Sequence, residues 1–169
     1  MAAAALEDDL GPAFRQAMRQ LAGGVCAISI GQGEERGGLV ATSVTSLSVE
    51  PPTLLVCINR QGASWPLIRR YRSFAVNLLA DRHLGLAQRF AGQGGVHGAD
   101  RYLGAEWRTG VTGAPILADA MVAVDCEVEE LIERHTHGIV IGRVRAVSTV
   151  REEQALVYLR GAYAALPAP

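Results

Sequence analysis

The chain has 169 residues, 49% hydrophobic and 20% charged, with 16 basic residues against 17 acidic ones and a net charge of −1. That composition suits one soluble globular domain, and the charge gives no reason to expect a nucleic acid or an anionic membrane surface as partner. All sixteen basic residues are arginine. Schiff-base and pyridoxal-phosphate chemistry and a Walker-type phosphate loop each need a lysine, so all three are excluded.

Residues 1–10, an alanine stretch followed by Glu7, Asp8 and Asp9, read as a flexible lead-in without the basic region of a secretory signal. With no run of 18 apolar residues, the expected location is the cytoplasm. A single domain is expected over 11–166. Cys26, Cys57 and Cys126 sit in apolar runs without CxxC spacing, and read as buried, reduced thiols.

Phe14, Met18 and Leu21 recur at helical spacing after Pro12, and Gly23-Gly24 can stop the helix they predict. The period then changes. "VCAISI" and "RGGLVATSVTSLS" flank the turn-like "GQGEE" as a β-hairpin, and "PTLLVCIN" reads as a strand buried on both faces. Ser64 is the expected N-cap of a short helix over "WPLIRRY". "SFAVNLLA" is a strand, and "DRHLGLAQRFAG" a helix with Asp81 as its cap and Gly92 as its stop. The five glycines of 92–104 predict an exposed, mobile loop of functional type. In "AMVAVDCEVEELIE", Val122, Val124, Cys126 and Val128 alternate with Asp125, Glu127 and Glu129, giving one wet face. A turn at "RHTHG" leads to the strand "IVIGRVRAVSTV", and "EEQALVYLRGAYAAL" closes as a short helix and a strand. Such strands argue an antiparallel barrel.

Two stretches carry chemistry. Between Thr42 and Ser48, five of seven residues bear hydroxyls, and no charge falls between Gly37 and Val49 before Pro51-Pro52 ends the run. That pattern fits a polar edge strand, or a segment that hydrogen-bonds a planar ligand without placing a charge against its rings. Next, Asn59, Arg60 and the Ser64 helix start form a possible anion cradle, through free N–H groups and a guanidinium fork. His135 and His137 could be metal ligands, a surface pair, or part of a binding site. His83 and His97 belong to no pattern and read as solvated.

The hydroxyl-rich strand, "VEPP", "LLVCINR", "SFAVNLLADRHLGLAQRFAG", "HTHGIVIGRV" and "ALVYLRGAY", in that order, resemble the flavin reductase-like family from about Gly23 to Ala164. The resemblance implies a mainly β fold with short helices, an FMN-binding split β-barrel, antiparallel and Greek-key-like, paired as a homodimer. It implies reduction of FMN or FAD by NADH or NADPH, with reduced flavin passed to a partner monooxygenase. Ala41, Thr42 and Ser43 would line the isoalloxazine; Ser46 and Ser48 would meet its pyrimidine edge or the ribityl chain. Asn59, Arg60 and Ser64 would hold the phosphate, with Arg89 and Phe90 beside the phosphate or an adenine. Leu47, Cys57, Trp65 and Tyr158 complete the flavin-binding set, and His137 would position the nicotinamide. Where the family often has Thr or Ser, this chain has Val40, without that side-chain hydrogen bond. Two other readings keep the flavin: electron transfer to a corrinoid or iron acceptor, and a non-enzymatic flavin-binding module.

Overall fold

A computed structural model describes residues 10–149 and 152–167. The expected flexible segment lies outside these residues except for Leu10, which opens α1 (Leu10–Met18). Then follow β1 (Gly23–Gly24), β2 (Cys26–Ile30), β3 (Gly37–Ala41), β4 (Thr45–Val49) and β5 (Pro52–Asn59). Next come α2 (Ser64–Tyr71), β6 (Ser73–Leu78), α3 (Leu84–Phe90), β7 (Trp107–Thr109) and β8 (Pro115–Leu117). Two long strands, β9 (Val122–Arg134) and β10 (His137–Thr149), precede a closing hairpin, β11 (Ala155–Leu159) with β12 (Ala162–Leu166).

Seven strands form one antiparallel sheet in the order β3-β2-β6-β9-β10-β5-β4. The expected strand through the hydroxyl run therefore splits: β3 and β4 are neighbours in the chain but stand at opposite edges. In a flat sheet those edges would lie roughly 29 Å apart, at about 4.8 Å per strand. The segment 42–44 between them reaches no more than about 15 Å from Ala41 to Thr45. The sheet must curl until its edges approach. Ser43 fastens the crossing, because its Oγ donates to the Cys57 carbonyl and accepts from the Cys57 N–H, both at 3.2 Å. A strand partner would make the same two bonds, so a side chain extends the β4 ladder by one place.

Inside the curl, Ile28, Val56, Ile58, Phe74, Val76 and Val140 are fully buried. Each such side chain contributes about 1.5–3 kcal/mol by leaving water. Two glycines of β10 face this core. A Cβ on Gly138 would run into the Trp65 ring, and one on Gly142 would lie 2.5 Å from Phe74 Cζ, so both aromatics rest on bare backbone. β5 was expected to be buried on both faces. Its inner residues Leu54, Val56 and Ile58 are, but Leu55 and Cys57 on the outer face are only half-buried. The β2–β3 hairpin and β6 form as expected.

A second core lies under α3, where the Phe90 and Trp107 rings stack and Tyr102 meets both at steep angles, with centroids 4.6–5.6 Å apart. The 92–104 segment is largely exposed, as expected, but Tyr102 pins its far end. Only 2% exposed, it donates from Oη to the Gly37 carbonyl at 2.5 Å and anchors a 3-10 turn over Gly98–Tyr102. Other local expectations change for similar non-local reasons. Asp125 is 2% exposed, not on a wet face, because Thr112 covers it and donates to it from its N–H at 2.9 Å and its hydroxyl at 2.5 Å. His83 is buried, not solvated. Its Nδ1 accepts from the Ala80 N–H at 3.0 Å, the capping role expected of Asp81, and its Nε2 lies 3.2 Å from Asp119 Oδ2. The expected C-terminal helix is instead β11, joined to β12 through Arg160 and Gly161 at φ 54° and 87°, the mirror-image turn that hairpins favour.

Candidate functional site

One groove runs along β3. Its first part, a cleft of about 330 Å³, lies between Gly37–Val40, the end of β5 at Ile58 and Asn59, the start of α2 at Gly62–Ser64, and Phe90, Ala91 and Arg101. It continues past Val40 and Ala91 into a cleft of about 430 Å³ walled by Ala41, Thr42, Gln93, Tyr158 and Tyr163. Thr42 and Tyr158 then border the apolar face of α1. Each part falls within the few hundred cubic ångströms typical of cofactor sites.

Local sequence explains the walls. Gly23 has no Cβ, which lets the Thr42 side chain pack on β1; a Cβ there would lie 2.7 Å from Thr42 Cβ. Tyr158 meets Tyr163 across the terminal hairpin, ring centroids 5.1 Å apart. At the other end the N-cap of α2 is Ala63, not Ser64 as expected, since the Trp65 N–H already reaches the Gly62 carbonyl at 3.1 Å. Ser64 is thus the first helical residue. Its hydroxyl, released from capping, belongs to a side chain only 7% exposed on the cleft wall.

The charges are one-sided. Among the described residues no carboxylate lines either part of the groove, and Arg101 is the cation on its wall. The N–H groups of Ala63 and Ser64 open α2, where backbone donors lack helical partners. Asn59 Oδ1 accepts from the Gln61 N–H at 2.9 Å, leaving its amide nitrogen as a donor. An anion at this end meets only donors; a planar, uncharged group at the other end meets apolar side chains, Thr42, Gln93 and two tyrosines.

The groove gathers Ala41, Thr42, Asn59, Ser64, Phe90 and Tyr158 from the expected set. Phe90 offers only part of a buried ring. Trp65 lies behind the wall against Gly138, and Cys57 is gripped through its backbone by Ser43, whose hydroxyl is thereby engaged away from any ligand. Ser46, Leu47 and Ser48 are not in the groove. Ser48 pairs with Thr53, six residues and roughly 20 Å along β5 from Asn59, and its Oγ bonds Glu50 in the turn at Pro51. Arg60 departs as well. Its guanidinium pairs with Glu133 and donates to the His135 carbonyl at 2.9 Å. Arg89 projects into a separate cleft with Arg82, His83 and Arg108, its buried Nε without a partner.

His137 is paired with Asn59 across β10 and β5, so the two side chains share a face at the rim. Its Nδ1 lies 2.8 Å from Thr136 Oγ1. Among the described residues no third ligating side chain joins His135 and His137. Burial pushes the Cys26 and Cys126 thiols up to about 12, so both stay protonated and serve as packing. Sequence reasoning missed Arg101, Gln93 and Tyr163; the glycine-rich segment that flagged a functional loop was the available signal for the first two.

A fold of this kind, with an elongated groove that offers donors and flat apolar walls, defines a protein that binds a cofactor and lets it carry the chemistry. Residues 18–167 match the model of the flavin reductase like domain, and the chain belongs to that family. It is 41% identical over 157 residues to "FMN reductase (NADH) RutF 2" of Methylorubrum extorquens strain PA1, covering 93% of this chain and 90% of that protein. Among solved structures, BorF, the flavin reductase component of a bacterial two-component tryptophan halogenase, superposes with a TM-score of 0.86 at 27% identity, covering 94% of this chain and 99% of that one. The styrene monooxygenase flavin reductase SMOB from Pseudomonas putida S12 does so with a TM-score of 0.80 at 29% identity, covering 92% and 98%.

Proposed function

We propose that this chain is an NADH:FMN oxidoreductase that supplies reduced flavin to a partner monooxygenase. The carrying observation is the groove itself: one end free of carboxylates and rich in donors, the other flat and neutral, in a chain 41% identical to an NADH-dependent FMN reductase. A flavin held there would supply the hydride-accepting chemistry toward a reduced nicotinamide. The protein's part is alignment. Ala41, Thr42 and Tyr158 flank the ring system, Asn59 and Ser64 meet the phosphate end, and His137 at the rim orients the nicotinamide carboxamide. No side chain here needs to act as acid, base or nucleophile, in keeping with protonated Cys26 and Cys126.

The curled sheet is read as a split barrel over residues 11–166, working as a homodimer. Exposed apolar surface supports the pairing: Leu47 and Val49 on β4, half-buried Leu55 on β5, and Phe14 of α1 at 67% exposure. Among the described residues no helix is long and apolar enough to cross a membrane. The free thiols suit a reducing cytoplasm. The test is anaerobic titration of the purified protein with NADH or NADPH in the presence of excess FMN or FAD, followed by flavin absorbance. Many turnovers of FMN by NADH are expected; a single stoichiometric reduction, or none, would reject the assignment.

A further inference from the structure

We infer that Arg101, and not Arg60, is the guanidinium that receives the flavin phosphate. This rests on the flavin reading of the groove.

Arg60 is held elsewhere by three bonds. Its backbone N–H donates to the Thr136 carbonyl at 2.9 Å, while of the guanidinium Nη1 donates to the His135 carbonyl at 2.9 Å and Nη2 pairs with Glu133. To serve a phosphate beside Ser64 it would have to abandon a carboxylate, and it lines neither part of the groove. Arg101 has the opposite properties. It lines the same cleft as Asn59, Gly62, Ala63 and Ser64. Among the described residues it forms no ion pair, and its fork is steadied by one donated bond from Nη1 to the Phe90 carbonyl. Partial burial lowers its pKa by desolvation, so its charge has lost water without gaining an anion. In such surroundings a phosphate gains more from the guanidinium than it would at an open surface.

Placement is fixed by the next residue. Tyr102 is buried between Phe90 and Trp107 and bonded to Gly37, so Arg101 is carried on an anchored turn and not on a swinging loop. Across the cleft stand the Ser64 hydroxyl, the Asn59 amide nitrogen and the first N–H groups of α2. A phosphate dianion between these walls receives donors from both sides and meets no carboxylate. Riboflavin, which ends in a hydroxyl, would gain little from the same cation.

Flavin fluorescence gives dissociation constants for FMN and riboflavin with the wild-type protein, Arg101→Ala, Arg101→Gln and Arg60→Ala. Loss of a charged hydrogen bond should weaken FMN binding by about 10- to 100-fold in both Arg101 variants, with riboflavin moved less than about threefold. Arg101→Gln retains a donor for the Phe90 carbonyl and so guards against simple collapse of the turn, which thermal melting of each variant checks. In Arg60→Ala the FMN-to-riboflavin ratio should match wild type. Loss of the ratio in Arg60→Ala with its retention in the Arg101 variants would overturn the inference, as would equal weakening of both ligands by Arg101→Gln. A wild-type protein that binds neither flavin would overturn the flavin reading and the inference together, a result distinct from either pattern among the variants.

Discussion

Gly142→Ala tests how tightly the curled sheet closes on its core. The added methyl carbon would lie 2.5 Å from Phe74 Cζ, 2.8 Å from Phe74 Cε1 and 3.0 Å from Cys126 Cβ. Carbon atoms in contact sit about 3.5–4.0 Å apart, so the Phe74 ring must withdraw by roughly 1 Å. It has nowhere to go: Phe74 and Cys126 are both completely buried, and the two are paired across β6 and β9. Overpacking of this kind costs about 1–3 kcal/mol. Removing a glycine from a strand returns roughly 0.5–1 kcal/mol of backbone entropy, which leaves a net loss on the order of 1–2 kcal/mol. For a chain of this length that corresponds to a fall in Tm of about 2–8 °C, read by calorimetry or circular dichroism. Phe74→Leu, which removes the ring edge in conflict, should couple to it: the double variant should lose at least about 1 kcal/mol less than the two single losses added. If Gly142→Ala melts within a degree of wild type, the packing argument fails.

His137→Ala should raise the KM for NADH or slow hydride transfer, by up to ~100-fold if orientation is lost, while flavin affinity stays within about twofold. His135→Ala should do far less; stopped-flow NADH oxidation separates them, and equal damage from both would remove the nicotinamide assignment. In solution the protein should run at twice its 17.9 kDa, and scattering that reports a monomer at micromolar concentration would contradict the homodimer.

What sequence could foretell was local. The turn-like "GQGEE" between two strand-like runs placed the β2–β3 hairpin, and continuous apolar runs placed β5 and β6. What it could not foretell depended on distant partners. The hydroxyl run looks like one strand, yet it breaks at 42–44 because it must cross from one sheet edge to the other. The Ser43 hydroxyl is therefore spent on the Cys57 backbone. Asp125 alternates as a solvent-facing residue should, yet the turn that carries Gly110 and Thr112 buries it. The glycine-rich segment hid its anchor, since nothing local says that Tyr102 will find the Gly37 carbonyl. At the site, the groove's residues from β3 and α2 were legible, whereas the pairing of Arg60 with the distant Glu133 was not.

The topology also sets an order of events in time. β9 and β10 are joined by residues 135 and 136 alone, so their ladder closes a minimal loop and can zip within microseconds. β5 must find β10 across 137 − 59 = 78 residues, since Asn59 pairs with His137. That search, with its larger closure entropy, belongs to the slower, millisecond-to-second class of folding steps. One wall of the groove's donor-rich end, Asn59 with the start of α2, is in place only then. FMN should accordingly leave the refolding rate unchanged and slow unfolding instead, a split that stopped-flow measurements with and without FMN would reveal. In the cell, flavin can reward the finished fold but cannot template it.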